Sequence, residues 1–190
     1  GIICHFAKKW QSKIIFTSAA IVCGTETENI TENSPVKIDN DYAKSKFYAE
    51  QIIYASGVEN CILRIGGIFG LNGPNHLGIN ASITAALQGK PIINKLKNEV
   101  YRNYIYLHDL TKIIIKVINE DISGTHLIAS KDVISIKQML VCITKILSSQ
   151  DSIINEKLVS GRDQIIKPSK IIDNTLTFEE SIKDIAQRYH

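Results

Sequence analysis

The sequence has few cysteines, and none of them is placed as a metal-binding or disulfide pair. Four occur in 190 residues, Cys4, Cys23, Cys61 and Cys142, and no two form a C-x-x-C motif. Each lies in or beside an apolar run, as reduced core cysteines do. The pattern excludes a disulfide-stapled scaffold, predicts no metal site, and favours a reducing, cytoplasmic location.

Long hydrophobic runs are also missing. No apolar stretch approaches the roughly 18 residues that a membrane span needs, and no basic segment followed by an apolar run opens the chain as a signal peptide would. We therefore expect neither a membrane partner nor a secretory leader. The chain begins at Gly1, directly before a helical pattern and without a capping residue, so we expect it to be a truncated form of a longer protein.

An excess of charge of one sign is absent too. The 22 lysines and arginines are scattered among 19 acidic residues, which gives a net charge of +3. The only dense basic clusters are residues 8–9 and 95–97, so a nucleic-acid partner is not predicted. Hydrophobic residues make up 44% of the chain and charged ones 22%, which is typical of a globular domain and excludes a disordered one.

Short apolar runs alternate with helical patterns over the first 70 residues. Residues 13–17 (KIIFT) and 60–65 (NCILRI) contain short uninterrupted apolar runs of the kind found in buried parallel strands. Between them, residues 24–40 form a polar loop, and a helix follows from a cap at residues 39–41 to Gly57. This order of strand, helix and strand predicts a parallel α/β sheet.

Beyond residue 70 the pattern becomes less regular. A loop over 71–78 precedes a helix that ends near Gly89, and short strands are predicted at residues 104–107 and 126–128 with a helix between them. Ser135 with Gln138 and Thr177 with Glu180 form capping boxes that predict two further helix starts.

The helix after the polar loop begins with a tyrosine and a lysine one turn apart. Tyr42 and Lys46 are four residues apart and therefore share a helix face. A phenol is a poor base at neutral pH, and a neighbouring ammonium favours the phenolate that can accept a proton. The pair is a candidate for acid/base chemistry, whereas by itself the spacing is also compatible with an ordinary solvated helix face.

Four segments in sequence resemble the extended short-chain dehydrogenase/reductase family, in particular its nucleotide-sugar epimerases, dehydratases and reductases. Residues 16–24 (FTSAAIVCG) are similar to the family's F-S-S-S-x-x-V-Y-G, and 42–50 (YAKSKFYAE) to Y-x-x-S-K-x-x-x-E. Residues 63–70 (LRIGGIFG) are similar to L-R-x-x-N-x-x-G, and 102–110 (RNYIYLHDL) to R-D-Y-I-x-V-x-D. A G-K-P at residues 89–91 and the two capping boxes extend the resemblance over residues 2–189.

The resemblance implies a fold and a set of site residues. The fold is α/β, with residues 1–70 as the later part of a doubly wound, Rossmann-type parallel sheet. Residues 71–190 would be mainly a small α/β substrate domain, with some segments returning to the first. Tyr42 is implied as the acid/base, and Lys46 as its partner and a ligand of the cofactor ribose. Ser18 is a candidate for the catalytic hydroxyl, and Arg102 for contact with the substrate diphosphate.

The resemblance implies NAD or NADP as the cofactor and a nucleotide sugar as the substrate. It is also compatible with a homodimer. The reaction is NAD(P)-dependent epimerisation, dehydration or reduction of the sugar. Arg64 is expected to be structural, and Asp109 to cap its helix.

Three departures from the family pattern leave a second function open. Ala19 stands five residues before Gly24, where the family has a serine or threonine, and only a local bulge would bring Ser18 into that place. Gly67 replaces an asparagine. No glycine-rich loop joins a strand to a helix start, as pyrophosphate binding requires, since residues 66–70 follow a strand but lead into a polar Asn/Gly/Pro segment that opens no helix. The alternatives are a non-catalytic member that binds a nucleotide or a partner, and an unrelated α/β domain.

Overall fold

The predicted α/β class is confirmed by a computed structural model that describes residues 1–148 and 153–189. Helices and strands alternate along most of the chain, and a short 3-10 turn follows the first strand. The helices are α1 (Ile2–Lys9), α2 (Asp41–Ser56), α3 (Gly78–Leu87), α4 (Leu107–Asn119), α5 (Ile136–Leu147) and α6 (Phe178–Tyr189). The strands are β1 (Ile14–Ala19), β2 (Asn29–Ile30), β3 (Asn60–Ile65), β4 (Ile68–Phe69), β5 (Ile92–Leu96), β6 (Tyr101–Arg102), β7 (Ile105–Tyr106), β8 (Gly124–Ile128), β9 (Ile134–Ser135), β10 (Ile153–Val159) and β11 (Ile165–Ile166).

The main sheet has three parallel strands in the order β1-β3-β8. Strand β1 pairs with β3 from Ile14 opposite Asn60 to Ala19 opposite Ile65. Strand β8 continues the sheet on the other side of β3. Parallel neighbours need a crossover connection, and α2 supplies the one between β1 and β3. The carboxyl ends of β1 and β3 therefore meet at one edge, next to the start of α2.

Among residues 1–148 and 153–189, four further sheets have two strands each, and the sequence patterns did not predict most of these strands. Strands β5 and β10 pair in parallel with Ile92 opposite Ile153, although 61 residues separate them. Strand β2 lies inside the stretch predicted as loop and pairs with β11. Two-residue strands that pair with distant segments leave too short a pattern to detect. The strand predicted at 104–107 is confined to β7, because Leu107 already begins α4.

Apolar side chains collect in separate clusters. One joins the main sheet to α4, with Leu63, Ile65 and Val117 among its buried members. Another lies among α3, α5 and α6 and includes Ile83 and Ile182. The predicted capping boxes hold the last two helices, since Ser135 Oγ accepts from Gln138 N (3.2 Å) and Thr177 Oγ1 accepts from Glu180 N (3.2 Å). The predicted division at residue 70 stays a prediction.

The described residues bear on three further expectations. The four cysteines are free, and burial raises the pKa of the Cys23 and Cys61 thiols. Within residues 1–148 and 153–189, no helix has the length and apolar character required to cross a membrane. The same residues contain no group of His, Cys, Asp and Glu that could hold a metal ion.

Candidate active site

The start of α2 is fixed by its own sequence. Asn40 is the N-cap, and its side chain accepts a hydrogen bond from Ala43 N at 2.8 Å. Asp41 lies in the first turn, where a negative charge complements the helix dipole. The helix ends at Gly57, whose left-handed conformation (φ 66°) is the one glycine adopts without strain. These signals place Tyr42 in the first turn, as the sequence predicts.

Tyr42 and Lys46 lie together beside the carboxyl-terminal half of β1. Lys46 Nζ donates to the backbone oxygen of Thr17 at 2.9 Å. The same ammonium lies 5.7 Å from the centre of the Tyr42 ring and 5.2 Å from that of Phe16. Tyr42 itself is 56% exposed, so its phenol is accessible to a ligand. The structure thus brings the predicted pair together on one helix face next to the strand.

The Ser18 hydroxyl is hydrogen-bonded within the protein, whereas a catalytic hydroxyl would have to reach the substrate. Its side chain is buried, and Oγ donates to Glu50 Oε1 at 2.6 Å. Glu50 lies on α2, one turn after Lys46, and also accepts two hydrogen bonds from Arg64. Because this hydroxyl is committed to a buried carboxylate, the geometry does not support Ser18 as the catalytic hydroxyl.

Ala19 is the last residue of β1 and lies opposite Ile65 in the sheet. Its backbone is extended (φ −134°, ψ 139°), so no bulge at this point moves Ser18 into its place. The position that carries a hydroxyl in the family pattern therefore presents only a methyl group here.

Arg102 lines a cavity of about 570 Å³ between α3, β5 and the start of α5. It is half-buried, and its Nη1 donates to the backbone oxygen of Tyr101 at 3.1 Å. Apolar groups of α3 and β5 form much of the wall, and Lys95 adds a second positive charge. Tyr42 and Lys46 are not among the residues that line this cavity.

Residues 161–166 connect the strand that carries Arg102 to the loop before Tyr42. The sequence analysis did not identify this segment as part of the site. Gln164 N donates to the Tyr101 oxygen at 3.1 Å, and its side-chain amide donates to the Thr25 oxygen at 3.3 Å. Arg162 Nη1 lies 3.2 Å from Glu26 Oε2. This segment therefore joins the strand of Arg102 to the loop that precedes Tyr42. Only a contact map could have revealed it, because the partners lie more than 60 residues apart.

The loop before α2 has one strongly held carboxylate. Asp39 Oδ2 accepts from both the hydroxyl and the backbone N of Thr25, each at 2.6 Å. These hydrogen bonds, the one from the hydroxyl first, hold the pKa of the Asp39 carboxyl below its usual range. Asp39 thereby fixes the path of the chain two residues before α2.

A parallel α/β sheet, a crossover helix and a Tyr/Lys pair at the strand end define a fold of the short-chain dehydrogenase/reductase type. The sequence pattern described as the NAD dependent epimerase/dehydratase family matches residues 2–129. The chain belongs to this family. The comparison with curated protein sequences found no match.

Solved structures share the fold at low sequence identity. UDP-glucuronic acid 4-epimerase from Bacillus cereus, in complex with NAD, has a TM-score of 0.83 at 16% identity and covers 100% of this chain. dTDP-glucose 4,6-dehydratase from Bacillus anthracis, also with NAD, has a TM-score of 0.81 at 21% identity over 98% of this chain. UDP-glucose 4-epimerase from Thermotoga maritima, with UDP-glucose, has a TM-score of 0.83 at 16% identity over 99%. The chain spans 66%, 64% and 67% of these three proteins.

Proposed function

We propose that this chain carries the acid/base pair and the substrate side of an NAD(P)-dependent enzyme that epimerises, dehydrates or reduces the sugar of a nucleotide sugar. The observation that supports this most is the placement of Tyr42 and Lys46 on one helix face beside the end of β1. The chain also belongs to the NAD dependent epimerase/dehydratase family, which supports acid/base chemistry as the role of this pair.

In this proposal Tyr42 accepts the proton of a sugar hydroxyl. The carbon that bears this hydroxyl loses its hydrogen as hydride, so the sugar is oxidised to a ketone. NAD or NADP, when bound, supplies the nicotinamide that takes up this hydride. Lys46 is the cationic partner of Tyr42, with its ammonium 5.7 Å from the centre of the Tyr42 ring. The reverse proton transfer from Tyr42 accompanies reduction of the ketone.

The residues present fit one end of such a cofactor. The Lys46 ammonium can donate to ribose hydroxyls at the edge of the sheet where it now meets the Thr17 carbonyl. The glycine-rich loop that binds a pyrophosphate runs from a strand directly into the first turn of a helix. Gly67, Gly70 and Gly73 have the G-x-x-G-x-x-G spacing, but four residues separate Gly73 from the start of α3 at Gly78. We therefore assign to this chain the ribose and nicotinamide side of the cofactor site only.

Arg102 is the proposed contact for the substrate diphosphate. A guanidinium binds phosphate oxygens through two parallel hydrogen bonds, and Arg102 lines a cavity that already holds a second cation, Lys95. The apolar wall from α3 suits the flat face of a base. Residues 71–190 would then form the substrate domain, and residues 1–70 the part next to the cofactor.

A homodimer through α1 and α2 is the assembly we propose. Phe6 on α1 and Trp10, the residue that follows the helix, stack with ring centres 5.0 Å apart, and both are exposed. Tyr48 and Ile52 are exposed on the adjacent helix α2. Exposed apolar side chains on two neighbouring helices are typical of a protein interface, and a second copy would cover them symmetrically. The free cysteines support a reducing, cytoplasmic location.

One observation favours a second candidate, a non-catalytic member that binds a nucleotide or a partner. Ala19 has no hydroxyl, and the Ser18 hydroxyl is held by Glu50. The Tyr/Lys pair would then be retained without the group that orients the substrate.

Binding of nucleoside diphosphates tests the substrate side. Calorimetry with UDP and dTDP should detect binding to the chain, and Arg102→Ala should weaken it by about 1.5–3 kcal/mol, the range for hydrogen bonds to charged groups. Lys9→Ala is the matched control, because it removes one positive charge from the exposed end of α1. Equal affinity of Arg102→Ala and the unmodified chain would count against the assigned diphosphate site.

A further inference from the structure

Gly67 leaves a notch that the ring of Tyr104 fills. A β-carbon built on Gly67 would lie 2.3 Å from Tyr104 Cδ1 and 2.4 Å from Cε1, far inside van der Waals contact. Both atoms belong to a rigid ring, so a side chain at position 67 would displace the whole ring. The Gly67 backbone oxygen also accepts a hydrogen bond from Ile105 N at 2.8 Å, which holds the residue after Tyr104 against the same point.

Tyr104 is in turn part of the wall of the 570 Å³ cavity that Arg102 lines. Its ring is half-buried and packs against the apolar cluster of α3, α5 and α6. Burial raises the pKa of the Tyr104 phenol, and the neighbouring Arg102 guanidinium opposes the shift without reversing it. A phenol with a raised pKa is neutral at physiological pH and can donate its proton in a hydrogen bond.

We infer that Tyr104, seated in the notch at Gly67, is a ligand-binding residue of this cavity and donates to the diphosphate that Arg102 binds. The inference rests on the proposed function, since it places a nucleoside diphosphate in the same cavity. It also gives Gly67 a role. Where the family pattern has an asparagine amide at the substrate edge, this chain has no side chain, and the Tyr104 ring lies directly against the Gly67 backbone.

Arg102 and Tyr104 are held at a defined separation because they lie two residues apart in a well-anchored segment. Arg102 ends β6 and Tyr104 directly precedes β7, so Asn103 alone separates them. The buried Asn103 amide donates to the backbone oxygens of Ser130 and Ile166, each at 2.7 Å. The connection between Arg102 and Tyr104 is therefore fixed, and both groups can meet one diphosphate without rearrangement of the backbone.

Calorimetry with UDP and dTDP on single tyrosine variants tests the hydroxyl. Tyr104→Phe keeps the ring in the notch and removes only the donor, so the affinity should fall by roughly fivefold, as for loss of one hydrogen bond. Tyr101→Phe is the matched control, because Tyr101 lies on the neighbouring strand β6 and its side chain is outside the cavity lining. Its affinity should equal that of the unmodified chain.

A double-mutant cycle tests the notch. Gly67→Ala should weaken binding because it displaces the ring, and it should have no further effect in a Tyr104→Ala background, where the ring is gone. If the chain binds UDP or dTDP and Tyr104→Phe binds equally well, the inference is overturned while the proposed function stands. Additive effects of Gly67→Ala and Tyr104→Ala would also overturn it. Absence of UDP and dTDP binding to the unmodified chain would overturn both this inference and the assigned diphosphate site.

Discussion

Arg64 and Glu50 form a two-point ion pair that fastens α2 to the main sheet. Arg64 Nε lies 3.0 Å from Glu50 Oε1, and Nη2 lies 2.7 Å from Oε2. Glu50 has no exposed surface, and its Oε1 also accepts from Ser18 on β1. One carboxylate thus connects the helix to two strands, a single turn from Lys46. The structural role expected for Arg64 agrees with this contact.

Replacement of Glu50 by glutamine should destabilise the protein strongly. The Arg64 charge would remain in a largely buried place without a counter-charge, and breaking such a pair costs about 3–5 kcal/mol. Urea unfolding measures the difference. Glu156→Gln is the control, because Glu156 is exposed on β10. A free energy of unfolding equal to that of the control variant would show that the pair does not stabilise the fold.

The chain as given should not bind NAD or NADP in the micromolar range. It offers Lys46 and Tyr42 to the ribose and nicotinamide, but its glycine-rich segment at 66–73 does not run directly into the N-terminus of a helix, where a pyrophosphate would bind. Calorimetry with either dinucleotide is the measurement, with UDP as the comparison ligand. A micromolar dissociation constant would mean that another part of the chain binds the pyrophosphate.

Ala19→Ser should separate the enzyme from the non-catalytic alternative. If the proposed reaction operates, the new hydroxyl at the end of β1 should raise the rate, because Tyr42 and Lys46 are already in place. Positioned acid/base groups contribute roughly 10²–10⁴-fold, so the unmodified chain need not be inert. Hydride transfer is followed by nicotinamide absorbance across a panel of nucleotide sugars. NAD or NADP is supplied at millimolar concentration, because neither is expected to bind the chain in the micromolar range. No turnover in either protein would favour the binding function.

Ile52→Glu should shift the protein from dimer to monomer. Ile52 lies on the exposed apolar face of α2, and a charge in the centre of a two-fold interface would meet its own copy. Ile115→Glu on α4 is a matched control, since both isoleucines are 51% exposed. Sedimentation velocity distinguishes the species. A monomeric unmodified chain, or equal dissociation by both substitutions, would contradict the proposed interface.

The sequence by itself determined the local elements and the Tyr/Lys pair. The Asn40 cap, Gly57 and the two capping boxes are short-range signals, because a cap forms hydrogen bonds within three or four residues. The apolar runs within 13–17 and 60–65 are also local signals. They predicted buried parallel strands, because both faces of such strands are covered. Four-residue spacing on a helix then placed Tyr42 and Lys46 on one face without knowledge of the rest of the chain.

Only the tertiary structure decided what the remaining site residues do. Whether Ser18 faces a ligand or a carboxylate depended on Glu50, which lies 32 residues later. The room that Gly67 leaves became meaningful only when Tyr104 was found to occupy it. The physical reason is common to both cases. Hydrogen-bond partners and packing neighbours are set by which distant segments the fold brings within a few ångströms, and no local pattern records that distance.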